Sequence, residues 1–350
     1  MGSGGKTPLV LDGSYGEGGG QILRTALALS VAFTRPVTLT RIRVRRPKPG
    51  LQPQHLTVAR ALAAISEAEV SGDALSSTKL TFSPRSLKSG EYRFDVGAIK
   101  GSAGSVSLLF QSLLLPLALA DSPSRLTLIG GTHVPWSPPV HYLTEVFLPA
   151  LRVIGVDADL KLRRWGWYPA GGGEVEVVIE PARQLNRFVC EPLQGTPQII
   201  GLSAVSKLHR SIAERQARRA EERLSEAGLA AEIAIEEDST ALNPGTLLFL
   251  AVRGRAGFSS LGRRGLRAEQ VADTAVDELL AWTKSAADVD HRLADQLVPF
   301  LALSTRASTY TCPTLSLHLR TVAWVVEQFL PVQIRLHEGP PARLEVIPPK

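Results

Sequence analysis

The chain has 350 residues, of which 44% are hydrophobic and 21% charged, and its formal net charge is +6. This composition excludes a largely disordered chain, and the length indicates two domains or one large domain with an insert. The longest apolar stretch, residues 106–120, is interrupted by Gln111 and Pro116 and is too short for a bilayer, so we expect no membrane partner. The modest positive charge permits a polyanionic partner without requiring one.

The two cysteines bear on the cellular compartment. Cys190 and Cys312 are far apart and form no CxxC pair, which argues against a disulfide framework and a cysteine-based zinc site. The N-terminal segment carries Asp12 and Glu17 and lacks the apolar region of a secretion signal. We therefore expect a cytoplasmic protein.

In chain order, the apolar patterns predict three similar units of strand, helix, strand, helix and strand. The predicted helix pairs are residues 21–33 with 55–65, 106–119 with 141–154, and 293–304 with 318–329. His55, His141 and His318 lie near the start of the second helices, and the second gap between them is about twice the first. We therefore predict an α/β (α+β) fold with a repeated domain, residues 1–186 plus 287–350, interrupted in its third unit by a small α/β domain at residues 187–286.

The inserted region has its own predicted order of elements. Strands are expected at residues 198–206, 231–236 and 246–253, helices at 211–227 and 268–283, and a mobile loop at 254–267. The first of these helices carries Arg210, Arg215, Arg218, Arg219 and Arg223 among several glutamates. A solvated face with ion pairs is the favoured interpretation, and contact with nucleic acid is the alternative.

A glycine-rich loop, residues 10–25, joins an apolar strand to an amphipathic helix. Such a loop presents free backbone N–H groups to an anion such as phosphate at the start of the helix. Glu17 lies inside the loop, where its carboxylate suits a divalent ion brought by a nucleotide better than a bare phosphate. The alternative is a turn that binds no ligand.

A basic cluster follows at residues 41–57. We expect Arg41, Arg43 and Arg45 to alternate along one side of a strand, with Arg46 and Lys48 in a proline-rich loop after it. Arginine matches phosphate with two parallel hydrogen bonds, so an anion site is favoured over a plain charged edge.

The remaining local patterns are weaker. Trp136, within the proline-rich segment GGTHVPWSPP, is either a platform for a nucleobase or part of a tight turn. The seven histidines show no HxH or HxxxH spacing, and no GxSxG sequence occurs, so neither a histidine metal site nor a serine hydrolase is supported. From the residues alone, the chain is a phosphate-binding α/β protein.

Six segments, taken together, resemble the motifs of the RNA 3'-terminal phosphate cyclases. They are residues 11–30, 42–57, 130–139, 168–173, 292–297 and 318–332, and the match extends over the whole chain. The resemblance implies three repeats of a two-helix, four-stranded unit with a small inserted α/β domain in the third repeat. It also implies ATP and a divalent metal, Mg or Mn, as cofactors and an RNA with a 3'-terminal phosphate as the partner.

The resemblance further implies a mechanism in three steps. A histidine attacks the α-phosphate of ATP, AMP passes to the RNA 3'-phosphate, and the neighbouring 2'-hydroxyl displaces AMP to leave a 2',3'-cyclic end. His318 matches the nucleophile, and neutral imidazole is chemically competent for this role.

The other motif positions carry over one by one. Glu17 is implied to contact the metal or the nucleotide, Arg43 the nucleotide phosphates, and Arg24 and Arg46 the substrate phosphates. Gln54 and His55 are implied to shape the pocket for the RNA end. The implied ATP-binding residues are Gln111, Arg292, Leu293, Ala294, Asp295 and Gln296.

Some positions depart from the family pattern. Arg292 stands where an aromatic residue that stacks on adenine is common. His133 stands where an acid or an amide is common, and His141 where an acid is common. Two alternative functions are a catalytically silent ribosome-assembly scaffold of the same family and an enolpyruvyl transferase with similar repeats. An RNA ligase is disfavoured because no KxDG sequence occurs.

Overall fold

The computed structural model describes residues 7–99, 101, 103–191, 193 and 195–349 and confirms the predicted α/β class. Residues 1–6, 100, 102, 192, 194 and 350, which belong to the predicted domains, lie outside the described residues. No helix in the described part of the chain combines the length and the apolar character that crossing a membrane requires.

The first sheet is built from the N-terminal residues in the order β1-β2-β4-β3. Its elements are β1 (Leu9–Asp12), α1 (Gly20–Ala32), β2 (Val37–Thr40), α2 (Pro53–Ser66), β3 (Glu69–Ser71) and β4 (Leu80–Ser83). The first two strands are parallel because a helix connects them, and β4 pairs antiparallel with both of its neighbours.

The second sheet has the order β5-β6-β8-β7, the same pattern of parallel and antiparallel pairs as the first. Its strands are β5 (Glu91–Asp95), β6 (Ser124–Gly130), β7 (Ala158–Arg164) and β8 (Gly173–Ile179). Its helical segments are α3 (Val106–Ala118), α4 (Val140–Tyr142), a π-helical turn (Leu143–Phe147) and α5 (Leu148–Ile154).

The third sheet belongs to the predicted insert and has the order β10-β9-β11-β12. Its elements are β9 (Ile199–Ser206), α6 (Ser211–Glu226), β10 (Ala231–Asp238), β11 (Gly245–Val252), β12 (Ala256–Leu261) and α7 (Ala268–Ser285). The prediction of a mobile loop over residues 254–267 is wrong for β12. Gly254, with φ +68°, sits between the strands, and the chain returns antiparallel to β11 and buries Phe258.

The last sheet has three strands within the described residues, in the order β13-β15-β14. Its elements are α8 (His291–Leu301), β13 (Ser308–Cys312), α9 (Leu317–Phe329), β14 (Gln333–His337) and β15 (Ala342–Ile347). Helix α1 packs against α2, α3 and α9, and α8 packs against α9. These contacts bring the N-terminal loop and the C-terminal helices, far apart in sequence, to one place.

Contrary to the prediction, the residues of the basic cluster do not extend strand β2. The strand ends at Thr40, and Arg41 and Arg43 adopt φ values of +51° and +54°, so the chain turns instead of extending. Ile42 anchors this turn because its side chain is buried and its backbone bonds to Thr78 and Gly50. The arginines therefore point in different directions: Arg43 is partly buried, whereas Arg41 is exposed.

Candidate active site

A cleft of about 680 Å³ opens where α1, α3, α8 and α9 meet the loop after β6 and the end of β12. This size lies in the usual range for small-molecule sites. Six of the predicted site residues line the cleft: Arg24, Gln111, Arg292, Asp295, Gln296 and His318. Gln21, Arg263 and His291 also line it, and sequence reasoning assigned them no role.

Gln21 connects two helices that are far apart in sequence. Its side-chain oxygen is hydrogen-bonded to Nδ1 of His318, and its Nε2 donates to Oδ1 of Asp295 at 3.2 Å. An amide oxygen only accepts, so Nδ1 of His318 carries the hydrogen and Nε2 keeps its lone pair. This amide orientation and tautomer follow from the hydrogen-bond network.

The start of α9 fixes the position of His318. Ser316 caps the helix by accepting a hydrogen bond from the backbone N of Leu319 at 3.1 Å, which places His318 in the first turn. The imidazole is exposed at the cleft, yet partial desolvation, then Arg24 and Arg46, lower its pKa. A neutral imidazole with a free Nε2 is therefore the favoured form near neutral pH.

Two other titratable side chains in the cleft, Asp295 and Arg24, have shifted pKa values. Burial raises the pKa of Asp295 to about 8, and Asp290 adds to this rise, whereas Arg24 and Arg292 oppose it. Burial lowers the pKa of Arg24 to about 10, so its guanidinium remains positive at neutral pH. The cleft therefore holds positive charge with no fully ionised carboxylate at Asp295 to cancel it.

The glycine-rich loop is tied to α9. The backbone N of Glu17 donates to Oγ1 of Thr321 at 3.0 Å, and Arg46 pairs with the Glu17 carboxylate and donates to its carbonyl oxygen at 3.0 Å. These contacts place Glu17 and Arg46 together, outside the residues that line the cleft. Because Arg46 lowers the pKa of His318, its charge acts on that imidazole as well.

His55 lies at the junction between the loop and the cleft. Its Nδ1 accepts a hydrogen bond from the backbone N of Gln52 at 3.0 Å, which leaves the hydrogen on Nε2. A Cβ added at Gly20 would lie 2.4 Å from this Nε2 and 2.8 Å from Nη1 of Arg24, so both groups converge on the start of α1. Burial, then Arg24 and Arg43, lower the pKa of His55 to about 3, so it is a neutral donor.

Several predicted residues carry buried polar atoms without a partner. Among the described residues, these include Nε of Arg43, Nε2 of Gln54, Nε2 of Gln111 and Oε1 of Gln296. Buried polar atoms are almost always hydrogen-bonded, so the unpartnered atoms of Gln111 and Gln296 in the cleft lining indicate a polar ligand there, whereas Arg43 and Gln54 lie outside the lining. A nucleotide, with its phosphates, ribose and base, offers the required acceptors and donors, so ATP fits this cleft.

The next question is which residues could hold a divalent metal ion. Within the described residues, no group of three or more His, Cys, Asp or Glu side chains is placed to hold a metal ion. Glu17 offers a single carboxylate, which is paired with Arg46. Mg²⁺ usually takes one or two carboxylates together with substrate phosphates, so the predicted role of Glu17 as a metal ligand depends on a bound nucleotide.

The structure also places five residues that the comparison of motifs singled out. The side chains of Leu293 and Ala294 are fully buried in the core rather than facing the cleft. Arg292 lines the cleft and lies 3.7 Å from the carboxylate of Glu278 on α7. His133 and His141 are hydrogen-bonded to each other at 2.9 Å, outside the cleft lining.

Among the described residues, most arginines on the charged face of α6 form ion pairs, with exposed Arg218 as the exception. Arg215 pairs with Glu269 at 2.8 Å, Arg219 with Asp273 at 2.8 Å, and Arg223 with Asp273 and Asp277. This network favours the interpretation of a solvated, ion-paired face over a nucleic-acid contact.

Comparison with known proteins identifies relatives along nearly the whole chain. A sequence model of the family described as RNA 3'-terminal phosphate cyclase matches residues 15–336. Proteins named RNA 3'-terminal phosphate cyclase from Nostoc punctiforme and Methylococcus capsulatus are 44% and 46% identical, over 94% and 95% of this chain and 96% and 94% of their own. The protein of that name from Pyrococcus furiosus is 42% identical over 92% of this chain and 93% of its own.

A solved structure gives a much weaker match. The enolpyruvyl transferase NikO from Streptomyces tendae is 13% identical, with a TM-score of 0.27, and the match covers 99% of this chain and 66% of the NikO chain. A score this low says nothing about the fold or the function. The sequence matches, in contrast, are long and uniform, and they show that the chain belongs to the RNA 3'-terminal phosphate cyclase family of enzymes.

Proposed function

We propose that the chain uses ATP to convert an RNA 3'-terminal phosphate into a 2',3'-cyclic phosphate, through AMP bound covalently to His318. The observation that carries this proposal is the hydrogen-bonded series from His318 through Gln21 to Asp295 inside a cleft with unpartnered polar atoms. The proposal also rests on the family membership and on the names of the relatives.

Gln21 prepares His318 for nucleophilic attack. It holds the hydrogen on Nδ1, so the lone pair on Nε2 is free to attack the α-phosphorus of ATP. A new N–P bond forms while the bond from the α-phosphorus to the bridging oxygen breaks, and pyrophosphate leaves. The lowered pKa of His318 keeps the imidazole neutral for this step.

The surrounding residues bind and orient the nucleotide. Gln111 and Gln296 line the cleft and carry buried amide atoms without a partner, and Arg292 supplies positive charge there. Arg43 is proposed to contact the nucleotide phosphates, as the family motif implies. Positive groups that are already in place stabilise the charge that develops during phosphoryl transfer. Glu17 is proposed to contact the divalent ion that accompanies the nucleotide, whose role is to shield phosphate charge.

The later steps use the second group of residues. An oxygen of the RNA 3'-phosphate attacks the phosphorus of the histidyl adenylate, the N–P bond breaks, and His318 is regenerated. The 2'-hydroxyl then attacks the 3'-phosphorus, loses its proton, and displaces AMP. His55, through Nε2–H, and Arg24 are proposed to hold the RNA phosphate, because both groups converge on the start of α1. Gln54 and Arg46 are proposed to take part as the family motif implies.

We also propose that the enzyme works in the cytoplasm. Cys190 and Cys312 are free thiols in the structure, which suits a reducing compartment.

The first test is self-labelling with α-labelled ATP and Mg²⁺ or Mn²⁺ in the absence of RNA. We expect a protein-bound label that is labile in acid and stable in base, as a phosphoramidate should be, and that His318→Ala abolishes. The matched control is His209→Ala, because His209 is exposed at the start of α6 and is absent from the cleft lining.

The outcome separates enzyme from scaffold. A wild-type protein that binds ATP but takes no label with either metal would contradict the histidyl intermediate and favour the silent ribosome-assembly scaffold. A label that survives His318→Ala would place the nucleophile on another residue. A second assay, with 3'-phosphorylated RNA, measures formation of the cyclic end.

A further inference from the structure

We propose that Trp136 is a stacking platform for a base of the RNA substrate, next to the 3' end that enters the cleft. This inference rests on the proposed function, since it takes RNA to be the ligand. The geometry that carries it is an almost fully exposed indole, 96% accessible, on a rigid loop that forms part of the cleft wall.

The loop that carries Trp136 is fixed on both sides. The backbone N of Val140 donates to the carbonyl of Thr132 at 3.1 Å, and Oγ of Ser137 donates to the carbonyl of Val134 at 3.2 Å. The two residues Pro138 and Pro139 are buried and hold the segment against the body of the protein. Trp136 is therefore exposed although the segment that carries it is anchored.

Two unfavourable features coincide at this residue. Trp136 has a φ of +61°, in the left-handed region that bulky side chains rarely adopt, and it presents the largest side chain almost entirely to water. Strained backbone conformations of this kind concentrate at ligand-binding sites, where the surrounding structure maintains them. Neither feature contributes to packing, which indicates that an external ligand uses the ring.

The position of the ring favours RNA over the adenine of ATP. A small ligand usually buries most of its surface, and Gln111 and Gln296 of the cleft lining carry buried amide atoms that lack a partner. Trp136, in contrast, is open on both faces, so it suits a base that lies outside the enclosed volume. Only a polymer with its end in the cleft places further bases there, and single-stranded RNA ends are commonly held by stacking on aromatic side chains.

The test is equilibrium binding of a short single-stranded RNA with a 3'-phosphate to the full chain, without ATP. Trp136→Ala should weaken binding by about 5- to 150-fold, the usual effect of losing one base–aromatic stack. Trp136→Phe should retain most of the affinity because a ring remains. Tyr168→Ala is the matched control, since Tyr168 is also exposed but is not part of the cleft lining, and it should leave binding unchanged.

RNAs with a single abasic nucleotide at each of the last four positions identify the stacked base. At one of these positions, removing the base should weaken RNA binding to the wild-type protein as much as Trp136→Ala weakens binding of the intact RNA. The same abasic RNA should bind Trp136→Ala no more weakly than the intact RNA does. Unchanged RNA affinity in Trp136→Ala, or losses that add at every position, would overturn the proposal.

A parallel measurement separates the two sources of a base. Trp136→Ala should leave the affinity for ATP and the RNA-free labelling of His318 as in wild type; an equal loss in ATP affinity would instead assign the ring to adenine. RNA binding is measured without catalysis, so this experiment does not depend on the histidyl adenylate. A shared loss of affinity between Trp136→Ala and one abasic position would support the stacking proposal even if no adenylate were found.

Discussion

His318 owes its neutral form to the charges and the desolvation around it. Partial desolvation contributes most to its lowered pKa, followed by Arg24 and then Arg46. Only the neutral imidazole attacks phosphorus, so self-labelling should be lost as the pH falls through this lowered pKa and should persist below the ordinary histidine value of 6.5.

Arg46→Gln tests this dependence. The change removes a positive charge near His318 and frees the Glu17 carboxylate, and both effects favour the protonated imidazole. The acid limb of the labelling rate against pH should therefore move to higher pH. The readout is the pH at the midpoint of the acid limb and not the maximal labelling rate, because Arg46 is also proposed to bind phosphate and its loss could lower that rate. Arg45→Gln, at an exposed position of the same turn, should leave the limb in place.

Motif comparison names His318, but it does not reveal the hydrogen bond between His318 and Gln21. Gln21 and His318 are separated by 297 residues, and only the packing of α1 against α9 brings them together. One local signal was available: Gln21 and Arg24 are three residues apart, so they share a face of α1. The prediction that the basic cluster continues a strand was wrong for a different reason. The positive φ values at Arg41 and Arg43 are set by the anchoring of Ile42 and not by the strand pattern.

Helix α8 is positioned by one buried carboxylate. Asp290 is fully buried and caps α8 by accepting hydrogen bonds from the backbone N of Arg292 at 2.7 Å and of Leu293 at 2.8 Å. It also accepts from the backbone N of Gly257 at 2.8 Å and from the hydroxyl of Tyr142. Since Arg292, Asp295 and Gln296 lie on this helix, its placement sets the wall of the cleft that is proposed to bind ATP.

Asp290→Asn should therefore lower both stability and affinity for ATP. An amide nitrogen cannot accept, so at least one buried N–H loses its partner, and we expect the free energy of unfolding to fall by about 2–4 kcal/mol. The Kd for ATP should rise about 10-fold or more, because the polar groups of α8 are displaced.

Tyr142→Phe is the comparison for Asp290→Asn, because it removes one hydrogen bond to Asp290 and leaves the cap intact. It should cost about 1 kcal/mol with little change in Kd. A normal Kd in Asp290→Asn would show that the cap stabilises α8 without positioning it.

The elements of the inserted region were largely predictable, with β12 as the exception. Alternating and helical apolar patterns placed β9, α6, β10, β11 and α7 within a few residues of their observed bounds. The segment of β12 is rich in glycine and serine, which is typical of a loop. It forms a strand because β11 offers a free edge and Gly254 permits the tight return, which is tertiary information.

At the scale of the molecule, the β9–β12 sheet is covered on both faces. Leu247, Phe249 and Ala251 of β11 belong to the main core, whereas Leu248, Leu250 and Val252 pack in a second core with α6 and α7. Nε1 of Trp167 donates to Oγ of Ser206 at 2.7 Å across the same interface. The uninterrupted apolar run of β11 is typical of a strand buried on both sides.

This shared interface leads to a prediction about the proposed division into residues 1–186 with 287–350 and residues 187–286. The two parts should unfold as one cooperative unit, because Phe249 lies near His141, with ring centroids 6.3 Å apart, and is buried in the main core. Phe249→Ala should lower the free energy of unfolding by about 3–5 kcal/mol and speed native-state hydrogen exchange in α3 as well as in α7.

Leu250→Ala supplies the decisive comparison, because Leu250 is fully buried on the opposite face of the same strand, within the second core. If the molecule is one cooperative unit, a loss of about 2–5 kcal/mol there should also reach the amides of α3, although no contact with the main core is removed. Acceleration confined to residues 199–285 would instead show that the insert opens on its own. In that case the cleft wall formed by β12 and Arg263 would open separately from the helices that carry His318 and Asp295.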